Sequence, residues 1–331
     1  MGTKIIGVSM LKVLYLPIND ADNVQQGMYD AWANVGVELE ICDFYRVWLR
    51  TKSKAAVAQD FLDKVRDFQP NLIHMQLQFT GLIDPPTLSK ARHLCPNVVI
   101  TNWSGDVRAH AIPDFVAVTN AIDYALISST GQLDIYKQAG CNNIKYWQIG
   151  YDPKFSFPIG KTQFEYDVSF VGNNYGSIFP DGPLREKTAH TLTTVFGGRF
   201  GLFGAGYAPK AKSVAPRQTN EVYNNSLCTL SISNFNNISH YFSDRLLSCM
   251  ASGRPTISWY FPGCESYFVE GSEIFIARNA QDVIDIVNYC KTNPEIATKV
   301  GINGYKRALR EHTFTAKIIE LLTMTKLIHL V

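Results

Sequence analysis

A chain of 331 residues with 46% hydrophobic and 12% aromatic content carries enough apolar material for two domains, each with its own core. Its 31 Lys and Arg against 29 Asp and Glu leave a net charge of +2, which excludes a global field pulling the protein toward nucleic acid or an anionic membrane and leaves only local basic patches. Seven scattered cysteines (Cys42, Cys95, Cys141, Cys228, Cys249, Cys264 and Cys290) include no C-x-x-C pair, so they read as small core residues of a reduced, cytoplasmic protein, not as a disulfide framework or zinc site.

The short apolar run at the N-terminus leads into a strand pattern, and no stretch approaches the length of a membrane span. From there short β-rich runs alternate with helical periods. Strands are expected at 11–17, 37–42, 71–77, 97–102, 122–128 and 144–149, with helices at 24–35, 54–68, 85–94 and 131–139 between them. Strand, helix, strand repeated in this way means parallel strands with right-handed crossovers and ligands at the strand C-terminal ends. Residues 150–165 hold two prolines and two glycines without a period and mark a linker. A second alternating unit follows, with strands expected at 166–171, 199–204, 227–232, 255–259 and 273–276 and helices at 183–195, 219–224, 240–252, 280–291 and 294–310. The helical segment 312–329 closes the chain. The expected fold is α/β: two doubly wound Rossmann-like domains facing across a cleft, with domain limits at 1–152 and 153–311 and a C-terminal helix over 312–331 that packs back on the first.

Residues 240–277 carry the clearest functional pattern: a helix, a buried strand and a glycine loop ending in a carboxylate, an order suited to a nucleotide. Ser239 or Ser243 caps the helix, while Gly253 and Pro255 stop it. Phe242, Leu246, Leu247 and Met250 share its core face, leaving Asp244, Arg245 and Ser248 toward the surface. A helix start holds anions by its free N–H groups, and Arg245 adds a bidentate grip.

The second half resembles the family-one type glycosyltransferases of the GT-B fold, and most closely the CgeB-like (spore-maturation) group. The motifs are Tyr166-Asp167-Val168-Ser169-Phe170-Val171-Gly172, Phe203-Gly204-Ala205-Gly206, Asp244-Arg245-Leu246 with Met250-Ala251-Ser252-Gly253-Arg254-Pro255, Pro262-Gly263-Cys264-Glu265 and Glu311-His312-Thr313-Phe314. In the first half only the strand pattern and Asn102-Trp103-Ser104-Gly105-Asp106 match.

The resemblance implies a metal-independent enzyme that needs no cofactor and uses a nucleotide-diphosphate sugar, a UDP-sugar, as donor. It assigns the donor to Gly172, Asn173, Asn174, Tyr175, Gly206, His240, Tyr241, Ser243, Arg245, Ser248, Gly263, Cys264 and Glu265. Relatives carry acids where this chain has His240 and Ser248, so the grip on the ribose and sugar differs here. For the base, Asp106 follows an apolar strand and projects from its C-terminal end, with His110 four residues on. Asp20, in the Asp20-Ala21-Asp22 loop, is the rival; its D-x-D spacing reads as a helix cap or as a metal site. Gly204-Ala205-Gly206 also invites a dinucleotide reading, which fails because Pro209 takes the third glycine's place. The acceptor stays open between a polysaccharide, a protein, a small molecule and a hydroxylated base in DNA, the last placing the protein in a host cytoplasm if phage-encoded. A non-catalytic sugar-nucleotide binder is the reading from another class.

Overall fold

The computed structural model describes residues 5–6, 11–19, 25–78, 81–207 and 211–330. In chain order the elements begin β1 (Ile5–Ile6), β2 (Lys12–Leu16), α1 (Gln26–Val35), β3 (Glu38–Ile41), α2 (Phe44–Thr51), α3 (Lys54–Phe68), β4 (Leu72–Met75), α4 (Pro85–Leu94) and β5 (Val99–Ser104). They continue through α5 (Pro113–Thr119), β6 (Tyr124–Ile127), α6 (Leu133–Gln138), β7 (Ile144–Tyr146), β8 (Tyr166–Val171), α7 (Gly182–Phe196), β9 (Phe200–Phe203), α8 (Thr219–Asn224) and β10 (Ser226–Ser231). The last are α9 (Asp244–Ala251), β11 (Thr256–Trp259), β12 (Phe275–Ala277), α10 (Ala280–Thr292), α11 (Pro294–Glu311), α12 (Phe314–Met324) and β13 (His329–Leu330). They form two compact units, residues 1–148 with 314–331 and residues 149–313.

Unit 1 is a six-stranded parallel sheet in the order β3-β2-β4-β5-β6-β7. Strands β2, β4 and β6 read as mainly apolar runs because both faces are covered, whereas the edge strand β3 alternates and is only partly buried. One face packs Leu14, Ile73, Met75 and Ile100 against Phe44, Phe61, Val65 and Leu88 of α2, α3 and α4. The other is aromatic: Tyr15 stacks on His74, whose ring meets the edges of Trp32 and Trp147, and Trp103 meets Trp147. Trp147 Nε1 donates to the Lys317 carbonyl at 3.0 Å and so ties α12 to this face beside α1. The helix starts follow local chemistry. Ser53 Oγ accepts from Ala56 N, and Asp84 Oδ1 accepts from Thr87 N just before Pro85 and Pro86.

Two helices, α2 and α5, are not expected from the sequence. The first opens on Phe44-Tyr45-Arg46-Val47-Trp48, aromatic and β-branched residues that favour strands, and the second is short and opens on a proline.

Unit 2 is a five-stranded parallel sheet ordered β12-β11-β10-β8-β9. Val168, Leu192, Leu230, Ile257, Val283 and Val287 fill one core, and Phe242, Leu246, Leu247, Met250, Phe261 and Phe268 the other. The expected core face of α9 is therefore observed. All seven cysteines are buried and free, as their scatter suggests. No helix among the described residues is long and apolar enough to cross a membrane.

Candidate functional site

In unit 2 the chain leaves β8 toward β9 on one side and returns to β10 on the other, so the topological switch point lies between β8 and β10. The segments running on from those strands are Gly172-Asn173-Asn174-Tyr175 and Ile232-Ser233-Asn234-Phe235-Asn236. Two arginines meet there.

Arg245, in the first turn of α9, donates from Nε to the Val171 carbonyl at 2.5 Å and from Nη1 to the Ile232 carbonyl at 3.1 Å, stitching the ends of both strands together. Arg185, in the first turn of α7, donates from Nη1 to Asn234 Oδ1. The two guanidinium carbons lie 5.2 and 5.1 Å from the centre of the Phe170 ring. They also converge on Gly172, where a Cβ would sit 2.5 Å from Arg245 Nη2 and 2.7 Å from Arg185 Nη2. A side chain at 172 would displace the ends of both arginines.

The pair has no acidic partner among the described residues. Neither guanidinium makes an ion pair among the described residues, and Asp181 gives its Oδ2 to the backbone N–H and side-chain amide of Asn236 at 2.6 and 3.0 Å. Arg185 is only 1% exposed, with Nε and Nη2 buried and lacking an acceptor of normal geometry; the buried Tyr207 hydroxyl is close enough to interact with the guanidinium but not in normal hydrogen-bonding geometry. Burial first, and the Arg245 charge second, pull the Arg185 pKa down to about 10. Burial pushes the Tyr207 phenol up, opposed by both arginines. Two like charges sharing one wall, with donors unspent, match an anion carrying more than one negative charge.

The helix start differs from expectation. α9 begins at Asp244, not near His240, because His240 adopts a left-handed conformation (φ 58°) that no helix continues. Ser243 holds the N-cap position, yet its Oγ accepts from Arg245 Nη1 at 3.2 Å and caps no backbone N–H. Asp244 Oδ1 takes the N–H of Arg245 at 2.8 Å. The positive charge facing the switch point therefore comes mainly from arginine side chains, with the helix terminus already partly occupied.

Because the sheet is parallel, the other residues assigned to the donor gather on the same edge. Asn173 Oδ1 accepts from Ala205 N at 2.9 Å and Asn174 Nδ2 donates to the Gly206 carbonyl at 3.2 Å, so the segments after β8 and β9 are zipped together. Gly206 packs against the Asn174 carbonyl, and Tyr175 stands 48% exposed beside Phe179. His240 donates its N–H to the Pro262 carbonyl at 2.8 Å and lays its ring on Gly263, where a Cβ would meet three ring atoms at 2.7 to 2.9 Å. Tyr241 N reaches the Ile238 carbonyl. Cys264 is buried and Glu265 exposed, the thiol donating to Glu265 Oε2 at 3.6 Å, and Ser248 is half-buried on α9.

In unit 1, Asp106 and His110 follow β5 at its C-terminal end and are exposed; Asp106 Oδ2 accepts from Arg108 Nη2 at 2.9 Å. Asp20 lies outside the described residues. Arg185 was not expected, although a signal existed: it falls on the stripe of Gly182, Thr188, Ala189 and Leu192, the buried side of α7.

Residues 185–323 match the family described as glycosyl transferase-like, a match that opens on Arg185 itself. No curated protein matches the sequence. Among solved structures, Anabaena HepE in complex with UDP and glucose is similar at a TM-score of 0.63 and 10% identity over 96% of this chain and 99% of that one. The sucrose-phosphate synthase of Thermosynechococcus elongatus reaches 0.61 at 10% identity over 96% and 98%, and a glycosyltransferase of Rickettsia africae 0.60 at 12% over 96% and 98%. The chain has the GT-B fold. Within that GT-B frame, the glycosyl transferase-like match covers unit 2 from α7 onward and runs into α12.

Proposed function

We propose that this protein transfers a glycosyl group from a nucleotide-diphosphate sugar, UDP-linked, to an acceptor hydroxyl. The observation that carries the reading is the arginine pair at the unit 2 switch point, joined to a GT-B fold whose neighbour HepE was solved with UDP and glucose. Breaking the bond between an anomeric carbon and a diphosphate builds negative charge on the leaving group and positive charge on the sugar ring. Arg245 and Arg185 answer the first, from a wall that needs no reorganisation, so the charge usually supplied by a metal comes here from guanidinium groups. The backbone of Gly172 to Tyr175, together with Tyr241, Ser243, Cys264 and Gly206, frames the donor. His240 and Glu265 contact sugar hydroxyls, Ser248 hydrogen-bonds the ribose, and Asp106, with His110, accepts the acceptor proton. On its motifs we read the enzyme as nearest the CgeB-like group.

Isothermal titration with UDP, ADP, GDP and UDP-glucose tests the donor half. UDP is expected to bind, with slow release of glucose from UDP-glucose. Absence of binding by every nucleotide would overturn the proposal, and tight binding without any donor hydrolysis would favour a non-catalytic sugar-nucleotide binder.

A further inference from the structure

Asp181 stands four residues before Arg185, at the start of α7, and the Arg185 N–H donates to its carbonyl at 3.0 Å. An aspartate and an arginine at that spacing on a helix are neighbours and ordinarily pair. Here they do not. Among the described residues Arg185 makes no ion pair, and its Nη1 goes to the neutral Asn234 Oδ1.

The Asp181 carboxylate is taken up by Asn236 instead. Asn236 is 4% exposed, and its backbone N–H and its Nδ2 both donate to Asp181 Oδ2, at 2.6 and 3.0 Å. Its own Oδ1 accepts from Ser233 N at 3.0 Å, and Nδ2 also reaches the Ser233 carbonyl at 2.9 Å. From there the contacts run to both arginines. Ser233 Oγ accepts from Ser243 N at 3.3 Å, and Ser243 Oγ accepts from Arg245 Nη1 at 3.2 Å. On the other side Asp181 N donates to the Asn234 carbonyl at 3.2 Å, next to the amide that meets Arg185. A single carboxylate–amide contact thus fastens the segment past β10 to the start of α7.

A carboxylate released beside a buried guanidinium would pair with it and cancel the charge that an anion needs. We infer that Asn236 is a positioning residue that sequesters Asp181: the carboxylate anchors the segment carrying Asn234 and is kept from pairing with Arg185. The inference rests on the arginine pair being the diphosphate site of the reading above, and goes beyond it by naming what keeps that pair unneutralised.

The test titrates UDP and, separately, inorganic pyrophosphate into the full chain, Asn236→Ala, Asp181→Asn and the double variant, with a thermal midpoint for each. Asn236→Ala frees Asp181 to pair with Arg185, so affinity for both probes is expected to fall at least about tenfold. Asp181→Asn removes the competing charge. In the Asn236→Ala background it is expected to restore affinity at least about threefold more than it changes affinity in the parent, with no matching rise in thermal midpoint. Asn236→Leu, which keeps the branched shape of the amide, repeats the comparison should the alanine variant not fold. A purely structural asparagine predicts a double variant that binds no better than Asn236→Ala, and that result overturns the inference. So does an Asn236→Ala protein that binds both probes like the parent; in either case UDP binding by the parent leaves the donor reading standing. The expected pattern with pyrophosphate, in a parent that does not bind UDP, would support the inference and sink the donor reading, and a parent that binds neither probe overturns both.

Discussion

Replacing Arg185 by methionine separates a ligand-binding arginine from a structural one, because the two roles predict opposite changes in stability. In the folded protein the Arg185 pKa falls from 12.5 to about 10, with burial as the main cause. At 1.36 kcal/mol per unit, holding this charge costs on the order of 3 kcal/mol, a penalty fully present at pH 7 because both folded and unfolded states are protonated there. Methionine fills a similar volume without the charge. It forfeits the hydrogen bond to Asn234 and the stacking on Phe170, together about 2 kcal/mol. The balance is a gain of about 1 kcal/mol, read as a rise of about 2–4 °C in thermal midpoint. UDP binding moves the other way. Losing one buried charge contact to the diphosphate costs about 2–3 kcal/mol, a 30- to 150-fold rise in Kd by titration. A variant destabilised by more than about 2 kcal/mol, with UDP affinity within threefold of the parent, would refute the reasoning and return Arg185 to the fold.

Other perturbations address the same architecture. Gly172→Ala forces a methyl against both guanidinium groups, so UDP affinity is expected to fall about tenfold while the far ends of the arginines shift enough to keep the fold; unchanged affinity would mean that the pair does not face the ligand. Gly263→Ala costs about 1–2 kcal/mol in urea unfolding, from its φ of 88° and from the His240 ring. Because the second part disappears with the ring, His240→Ala should recover about 0.5–1 kcal/mol of that loss in a double-mutant cycle, and strict additivity would contradict the packing. His74, buried at the centre of the aromatic face, has its pKa pushed down to about 3 by desolvation. The unfolded chain takes up a proton below pH 6.5 while the folded one does not, so stability is complete above that pH and drains as pH falls toward 3. Between pH 7 and pH 5 the loss is about 2 kcal/mol. His74→Phe should flatten that dependence by the same amount in urea titrations, and an unaltered pH slope would assign it to other groups.

What was legible in the sequence was whatever local chemistry decides. The period of 54–68 gave α3 at its observed bounds, and the apolar run 166–171 gave β8. The helix at 240–252 was legible in its core face and illegible in its start, since a left-handed histidine is imposed by packing on Gly263 and leaves no mark in composition. Gly172 was legible as a donor position; that two guanidinium groups converge on it depends on α7 and α9, whose arginines are 60 residues apart. Arg185 carries no mark of its own among 31 basic residues; its burial follows from sharing a stripe of α7 with the buried Ala189 and Leu192. Charge totals hid this entirely, because a balance of 31 to 29 is blind to one buried arginine.

The two sheets bear on where function is decided in such a chain. Their strand orders are equivalent and their switch points fall at the same topological place, yet one presents unpaired arginines and the other amides with paired charges. Topology therefore locates the ligands and says nothing of their chemistry. The chemistry follows from a few residues just past the strand ends. At 172 a missing side chain admits the guanidinium groups, and at 234 an amide, not a carboxylate, meets Arg185 and leaves its charge unspent. At 19 and 76 amides again stand where acids or bases would have set a sign. A carboxylate at 234 would neutralise Arg185 and make the switch point a structural ion pair. Asparagine there keeps the geometry of the contact and, on the glycosyl-transfer reading proposed above, leaves the charge for a diphosphate.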